Sequence, residues 1–223
     1  MLDYLIPLGG YLLGSLSSAV IVARLMGLRD PREVGSKNPG ATNVLRYGGK
    51  KAAVVTLAGD MLKGVIAVWI ARLLATDPTI IGATMVCVFL GHLYPIFFGF
   101  KGGKGVATAL GTFLGVELWL GLSVVVTWLV MAFITRYSSL SALVATAAAP
   151  FYTWYFLDDW RYVVAVIVIA VILFWRHRSN IRNLLTGKEN KIGYKPDAPD
   201  VAEAVADTGE KPTISETLSA SDD

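Results

Sequence analysis

Cysteine occurs once in the 223 residues and histidine twice. Cys87 sits in an apolar run, so an internal disulfide and a cysteine-rich metal centre are both excluded. Two histidines and one cysteine also fall short of the ligand set of a catalytic zinc site, and no metal is expected. No Gly-x-Ser-x-Gly elbow is present, which leaves serine-hydrolase chemistry unsupported. Charge is scarce as well: Asp, Glu, Lys and Arg make up 17% of the chain against 54% hydrophobic residues, and the mean hydropathy is +0.56. One small soluble core cannot bury that much apolar surface, so bilayer is the expected solvent.

A lipid-crossing helix needs roughly 20 mostly apolar residues. Candidate stretches run over about 3–23, 52–75, 79–98, 105–135, 139–157 and 161–175. The first begins with Asp3 rather than a basic segment and lacks a small-x-small site near Arg24, so it reads as a retained helix, not a removed signal peptide. Beyond Pro196 the chain carries eight acidic side chains and Lys211 alone, which leaves a net +10 in the preceding 196 residues. Two parts are therefore expected: a basic membrane-integral domain over 1–196 and an acidic, disordered cytosolic tail over 197–223. The basic excess suits anionic headgroups or anionic substrates, and charge count alone does not separate them.

Basic residues gather between Arg24 and Lys51, at Lys101, Lys104 and Arg136, and from Arg176 to Lys195. The positive-inside tendency places all of these in the cytosol. Only 31 residues separate Lys104 from Arg136, too few for two full-length helices at about 1.5 Å per residue. The expected solution is a short helix near 105–116, a turn at Glu117 and a second helix near 118–135. The chain then reads as all-α, with seven transmembrane helices, the N-terminus outside and the C-terminus inside.

Four segments carry polar chemistry. Gly35 to Arg46 reads GSKNPGATNVLR, in which glycines let backbone N–H groups approach an anion, Ser36, Asn38, Thr42 and Asn43 offer neutral partners, and Arg46 adds a planar fork. The same composition also fits a plain polar loop. GDMLKG places Asp60 and Lys63 on one face of an apolar helix, where charges are costly. They serve either as an ion pair joining helices or as a brace for the neighbouring anion site. GHLYPIFFGFKGGKGVAT packs four glycines and two lysines between Gly99 and Gly105, a composition that wraps phosphate. It is not a Walker loop, because Phe98 holds the first glycine position and Gly105 follows Lys104. A helix starting just after Lys104 would add its dipole. RHRSNIRNLL follows the last apolar run, and Arg136 to Ser141 supplies further hydroxyls. Asp is missing five residues after His92 and His177, where Phe97 and Arg182 stand, so the His-x4-Asp acyltransferase signature is absent.

Together these segments resemble the motif set of the PlsY-type, membrane-integral acyl-phosphate:glycerol-3-phosphate acyltransferases, in order from about Gly14 to Glu189. The resemblance implies transfer of a fatty acyl group from acyl phosphate to the 1-hydroxyl of sn-glycerol 3-phosphate, giving lysophosphatidic acid and phosphate, the first acylation of phospholipid synthesis. It implies a multi-pass protein of the bacterial inner membrane with a cytosol-facing site and no cofactor. Its implied partners are acyl phosphate, glycerol 3-phosphate, membrane lipids and the soluble enzyme that supplies acyl phosphate, with no nucleic acid. By the same resemblance Lys104, His177 and Asn180 are catalytic. Ser36, Arg46 and Lys104 hold the glycerol-phosphate anion, and Thr42, Ser141, His177 and Lys104 the acyl-phosphate end. Asn180 orients the attacking hydroxyl or polarises the acyl carbonyl. Asn38, Gly40, Asn43, Gly102, Gly103 and Ser139 complete the substrate-binding set, with Asp60, Lys63 and His92 in support. Lys37, where many members carry glycine, reads as a spectator. The base is either His177 or the substrate's own phosphate, with the phosphate favoured. An organic-phosphate transporter is the alternative reading, since basic residues and broken helices also suit anion passage.

Overall fold

Long apolar stretches between Gly, Pro and Asp breaks form helices, even where β-branched residues run together as in Val163–Ile172, because in lipid each backbone group must be satisfied within its own segment. The structure, a computed structural model, describes residues 2–194; the acidic tail expected over 197–223 lies outside the described residues. Nine α-helices are present among them: α1 (Leu2–Gly14), α2 (Ser18–Leu25), α3 (Ala41–Leu74), α4 (Pro78–Leu93), α5 (Val106–Val116), α6 (Leu118–Thr135), α7 (Ser138–Leu157), α8 (Trp160–Arg176) and α9 (Arg178–Leu185). A 3₁₀ turn at Ile96–Phe98 follows α4.

Five segments are long and apolar enough to cross a bilayer, namely Asp3–Leu25, Ala41–Leu74, Pro78–Phe98, Leu118–Thr135 and Ser138–Leu157, and α8 with α9 makes a sixth, bent by 59°. The expected division between 105 and 135 is found at its expected place. Helix α5 has 11 residues, about 16 Å of rise, and stops at Glu117, whose carboxylate accepts from the Trp119 N–H at 3.2 Å to cap α6. The open end of α5 is closed by Arg72, which donates to the carbonyls of Gly115 and Val116 at 3.0 Å each.

Three elements differ from the sequence reading. The first span is two helices, α1 and α2, separated at Ser15–Ser17, and a buried lysine takes the Leu16 carbonyl there. Residues 41–51, read as loop because they are polar, are already helical, and the chain turns sharply at Gly49 (φ 80°, ψ 177°) before its apolar part begins. The C-terminal basic cluster is itself a short helix, α9.

Small residues let the central helices approach closely. A Cβ on Gly64 would meet the Thr112 amide at 2.9 Å, which fixes the α3–α5 separation. Gly14 and Gly91 do the same for α1 and α4, each lying against the other helix's backbone. Phe89, Phe113, Met85, Leu93, Leu120, Ile169 and Leu173 fill the core between these helices. Helix α6 lies at the periphery, and Phe133, Ile134 and Trp119 face outward from it.

Candidate active site

Four segments converge at one end of the bundle: the loop from Met26 to Gly40 with the start of α3, the glycine loop Gly99–Gly105, the start of α7, and the α8–α9 junction. The first is tied down from inside. Asn43 is buried, its side-chain N–H₂ donates to the Pro31 and Val34 carbonyls at 3.0 Å each, and its Oδ1 accepts from the Ser36 N–H at 2.9 Å. Its amide is thus engaged by its own loop, a brace rather than a free ligand-binding group. Gly40 is the N-cap of α3 and closes a turn onto Asn38. Ser36 and Thr42 are exposed, and their hydroxyls make no hydrogen bond among the described residues.

The glycine loop is clamped on both sides. The Gly103 N–H donates to the His92 carbonyl at 3.2 Å, and the Arg176 guanidinium donates to the Gly102 and Gly103 carbonyls at 3.2 and 3.0 Å while lying 5.5 Å from the Tyr94 ring centroid. A Cβ at Gly103 would overlap the His92 ring and touch the Pro39 carbonyl at 3.0 Å, so glycine is required by closeness. Gly105 ends the loop at φ 85°, and α5 begins at Val106, which directs its N-terminal dipole toward Lys104.

Beneath the loop, Asp60, Lys63 and His92 form a buried cluster. Lys63 Nζ lies 2.9 Å from the Asp60 carboxylate and 3.0 Å from His92 Nδ1, which is itself 3.4 Å from Asp60. Lys63 also donates to the Leu16 carbonyl at 2.8 Å, at the α1–α2 break. The pair therefore joins α2's entry, α3 and α4, and through the His92 backbone it reaches Gly103. Both roles weighed from sequence, helix pairing and site bracing, belong to one cluster.

Above the loop, Lys104 Nζ donates to Asn180 Oδ1, Asn180 Nδ2 donates to Glu189 at 2.7 Å, and the Ser139 hydroxyl donates to the same carboxylate oxygen at 2.6 Å. This chain joins the glycine loop, α9 and α7. Burial pushes the Lys104 ammonium below the ordinary lysine value of 10.5; Glu189 opposes the shift, and Arg176 and Arg46 add to it. His177 is buried at the α8–α9 corner, and its Nδ1 lies 2.9 Å from the Leu173 carbonyl. A carbonyl only accepts, so Nδ1 carries the proton and Nε2 of the neutral ring is left with a lone pair. Ser141 is fully buried, with its hydroxyl on the Tyr137 carbonyl at 2.8 Å.

The structure thus joins Lys104 to Asn180 directly and Asn180 to Ser139 through Glu189, with Arg46 and His177 in electrostatic reach of Lys104. Asn38, Thr42 and Ser36 lie on the loop and α3 entrance, without a side-chain bond to that group. Two members were missed by sequence reasoning. Glu189 is a lone carboxylate between Lys188 and Lys191, and Arg176 stands in the basic run to Lys195 that the charge pattern uses only for orientation.

Residues 4–187 match the family model described as glycerol-3-phosphate acyltransferase. Among curated proteins, glycerol-3-phosphate acyltransferase of Thioalkalivibrio sulfidiphilus is 54% identical over 188 residues, 84% of this chain and 93% of that one. The protein of the same name from Methylococcus capsulatus is 54% identical over 191 residues, 86% and 96% of the two chains. Among solved structures, PlsY (YgiH), an integral membrane glycerol 3-phosphate acyltransferase, aligns in its glycerol 3-phosphate form with a TM-score of 0.82 at 39% identity, covering 91% of this chain and 99% of that one. Its lysophosphatidic acid form aligns with a TM-score of 0.81 at 39% identity, covering 86% and 96%.

Proposed function

The chain belongs to the glycerol-3-phosphate acyltransferase family, a multi-pass integral membrane enzyme, and we propose that its acyl donor is acyl phosphate, with the 1-hydroxyl of sn-glycerol 3-phosphate as acceptor. The products are then 1-acyl-glycerol 3-phosphate and inorganic phosphate. The observation that carries this reading is the Lys104–Asn180–Glu189–Ser139 chain set against the clamped glycine loop, where cations converge at one mouth. Both substrates and both products are phosphates, and that mouth is suited to two polyanions.

Glycerol phosphate sits against Ser36, Arg46 and Lys104. Thr42 and Lys104 take the phosphate of the donor; Ser141, whose proton goes to the Tyr137 carbonyl, and His177, whose Nε2 carries a lone pair, line that end without donating to it. Asn180, its orientation fixed by Lys104 and Glu189, presents its remaining hydrogen-bonding capacity to the attacking hydroxyl. The hydroxyl oxygen forms a bond to the acyl carbon, the bond from that carbon to the bridging phosphate oxygen breaks, and the hydroxyl proton passes to the departing phosphate. His177 forms no covalent bond with the acyl group; its neutral ring, held by the Leu173 carbonyl, bounds the donor end of the site. Because phosphate leaves readily, positioning and charge stabilisation suffice without a covalent nucleophile.

The topology proposed is seven crossings with the N-terminus outside, α5 and α6 together forming a short crossing and its return, the site facing the cytosol at the inner membrane. The acyl chain lies among the helices from the inner leaflet. The test is phosphate release by purified protein in lipid given palmitoyl phosphate, with and without glycerol 3-phosphate, and palmitoyl-CoA as separate donor. Release that depends on glycerol 3-phosphate and yields lysophosphatidic acid, with the CoA ester inert, is expected; turnover of the CoA ester at equal rate would overturn the donor assignment.

A further inference from the structure

Beside the site, a cavity of ≈310 Å³ opens between the α2–α3 loop and the glycine loop, lined by Arg32, Lys37, Pro39, Phe100, Lys101, Gly102 and Arg176. Its two arginines are fixed parts of the wall. Arg32 is held in a fork by Asp30 at 2.6–3.1 Å and donates to the Phe98 carbonyl at 3.1 Å. Arg176 spans to the Gly102 and Gly103 carbonyls, yet its buried Nε has no partner among the described residues. Lys37 and Lys101 differ: both are exposed, and neither has an ion pair or hydrogen bond from its ammonium among the described residues. Asp30, turned to Arg32, and the exposed Glu33 beside it are the acids that offset this wall.

Backbone strain gathers at the same place. Four non-glycine residues among those described have positive φ, and two of them, Lys37 (φ 55°) and Phe100 (φ 60°), line this cavity. A lysine in the left-handed region is disfavoured relative to glycine, so its charge is obtained against the local backbone preference. Strain of this kind collects where a side chain is needed at a particular spot.

We propose that this cavity is a capture subsite for a soluble phosphate monoester, glycerol 3-phosphate, in which Lys37 and Lys101 are the mobile cations and Arg176 is the fixed donor through which the anion is passed to Lys104. Lys37 is then a recruiting residue rather than a spectator. The wall shared at Gly102 and Arg176 makes the subsite continuous with the glycine loop, so a captured anion moves one loop-width, not across the bundle. The proposal rests on glycerol 3-phosphate being the acceptor, and its test reads binding without turnover.

Full-length protein in nanodiscs is titrated with radiolabelled glycerol 3-phosphate at low and high salt, as wild type, Lys37→Gly, Lys101→Gln and the double variant. Lys37→Gly puts glycine at a positive φ and so relieves the backbone, and Lys101→Arg serves as the charge-keeping control. The expected result is a Kd about fivefold weaker in each single neutral variant and more than tenfold weaker in the double at low salt, with a flattened salt slope and recovery in Lys101→Arg. An unchanged Kd and salt slope in the double variant overturns the proposal, as does absence of binding by wild type. Bilayers with and without phosphatidylglycerol separate the sources of phosphate: if anionic lipid abolishes the difference between wild type and double variant, the cavity holds a headgroup and the assignment to soluble monoester falls. Should binding behave as expected while acyl transfer is absent, the subsite stands and the acyl-phosphate reading alone is lost.

Discussion

Lys104→Ala separates a charge that acts in the reaction from one that holds the fold. Lys104 donates to Asn180, and Asn180 shares the Glu189 carboxylate with Ser139, so truncation leaves the α7–α9 link through Ser139 and Glu189 intact while removing the cation at the mouth. Losing one preorganised donor to developing charge costs about 10²–10³ in turnover, equivalent to about 2.7–4 kcal/mol. The pH dependence gives a second readout. Burial lowers the Lys104 pKa from 10.5 despite the Glu189 carboxylate. Activity that needs the ammonium is therefore present at neutral pH and lost as pH rises through the lowered value, before an ordinary lysine would titrate. Stability from this group runs the other way: between the lowered value and 10.5 the unfolded chain binds the proton more strongly, so its contribution to stability rises with pH. An alkaline loss of turnover without a fall in melting temperature is the expected signature. Lys104→Arg, charged throughout this range, should move that limb upward. The assay is lysophosphatidic acid formation in lipid across pH, with thermal melting on the same samples. Lys104→Ala above about a third of wild-type rate, or Lys104→Arg with an unmoved alkaline limb, would refute the reasoning.

Removing the anion of the buried cluster by Asp60→Leu should strip Lys63 of its partner and lower stability by about 3–5 kcal/mol, whereas the Asp60→Leu, Lys63→Met pair should recover most of it; melting in detergent reads both, and equal loss in the pair would contradict the ion-pair account. Arg72→Met should uncap the α5 carbonyls of Gly115 and Val116, cost about 1–3 kcal/mol in stability and leave turnover per folded molecule near wild type. Gly103→Ala, forced against the His92 ring and the Pro39 carbonyl, should lose turnover more than stability, and equal activity would show that the loop has room. In a Cys87→Ala background, Lys101→Cys should react with a membrane-impermeant thiol reagent only from the cytosolic side and Glu117→Cys only from the other; the reverse labelling would overturn the proposed orientation.

Hydropathy and charge alone determined where helices begin and end to within a turn for most of the bundle. The break at Glu117 was readable because the charge pattern sets Lys104 and Arg136 on one side, and the 31 residues between them cannot make two full crossings. Polar helices were the blind spot: residues 41–51 and α9 are too polar to read as spans, although α9 sets Ile181 and Leu184 on one face against the core. The same limit applied at Ser15–Ser17, where an apolar run continues across a break whose carbonyl is taken by Lys63, 47 residues away. Motif composition pointed to phosphate and to the lysines of the glycine loop and grouped Asp60 with Lys63, while Asn180 came only through the family resemblance. It had no means of finding that Asn43 faces inward, that Arg176 clamps the glycine loop, or that Glu189 holds Asn180 and Ser139 together. Those assignments depend on which hydrogen-bonding groups meet, whether within one loop, as for Asn43, or between distant segments, as for Arg176 with Gly102 and Ser139 with Glu189, and direction in space is fixed only when the chain packs.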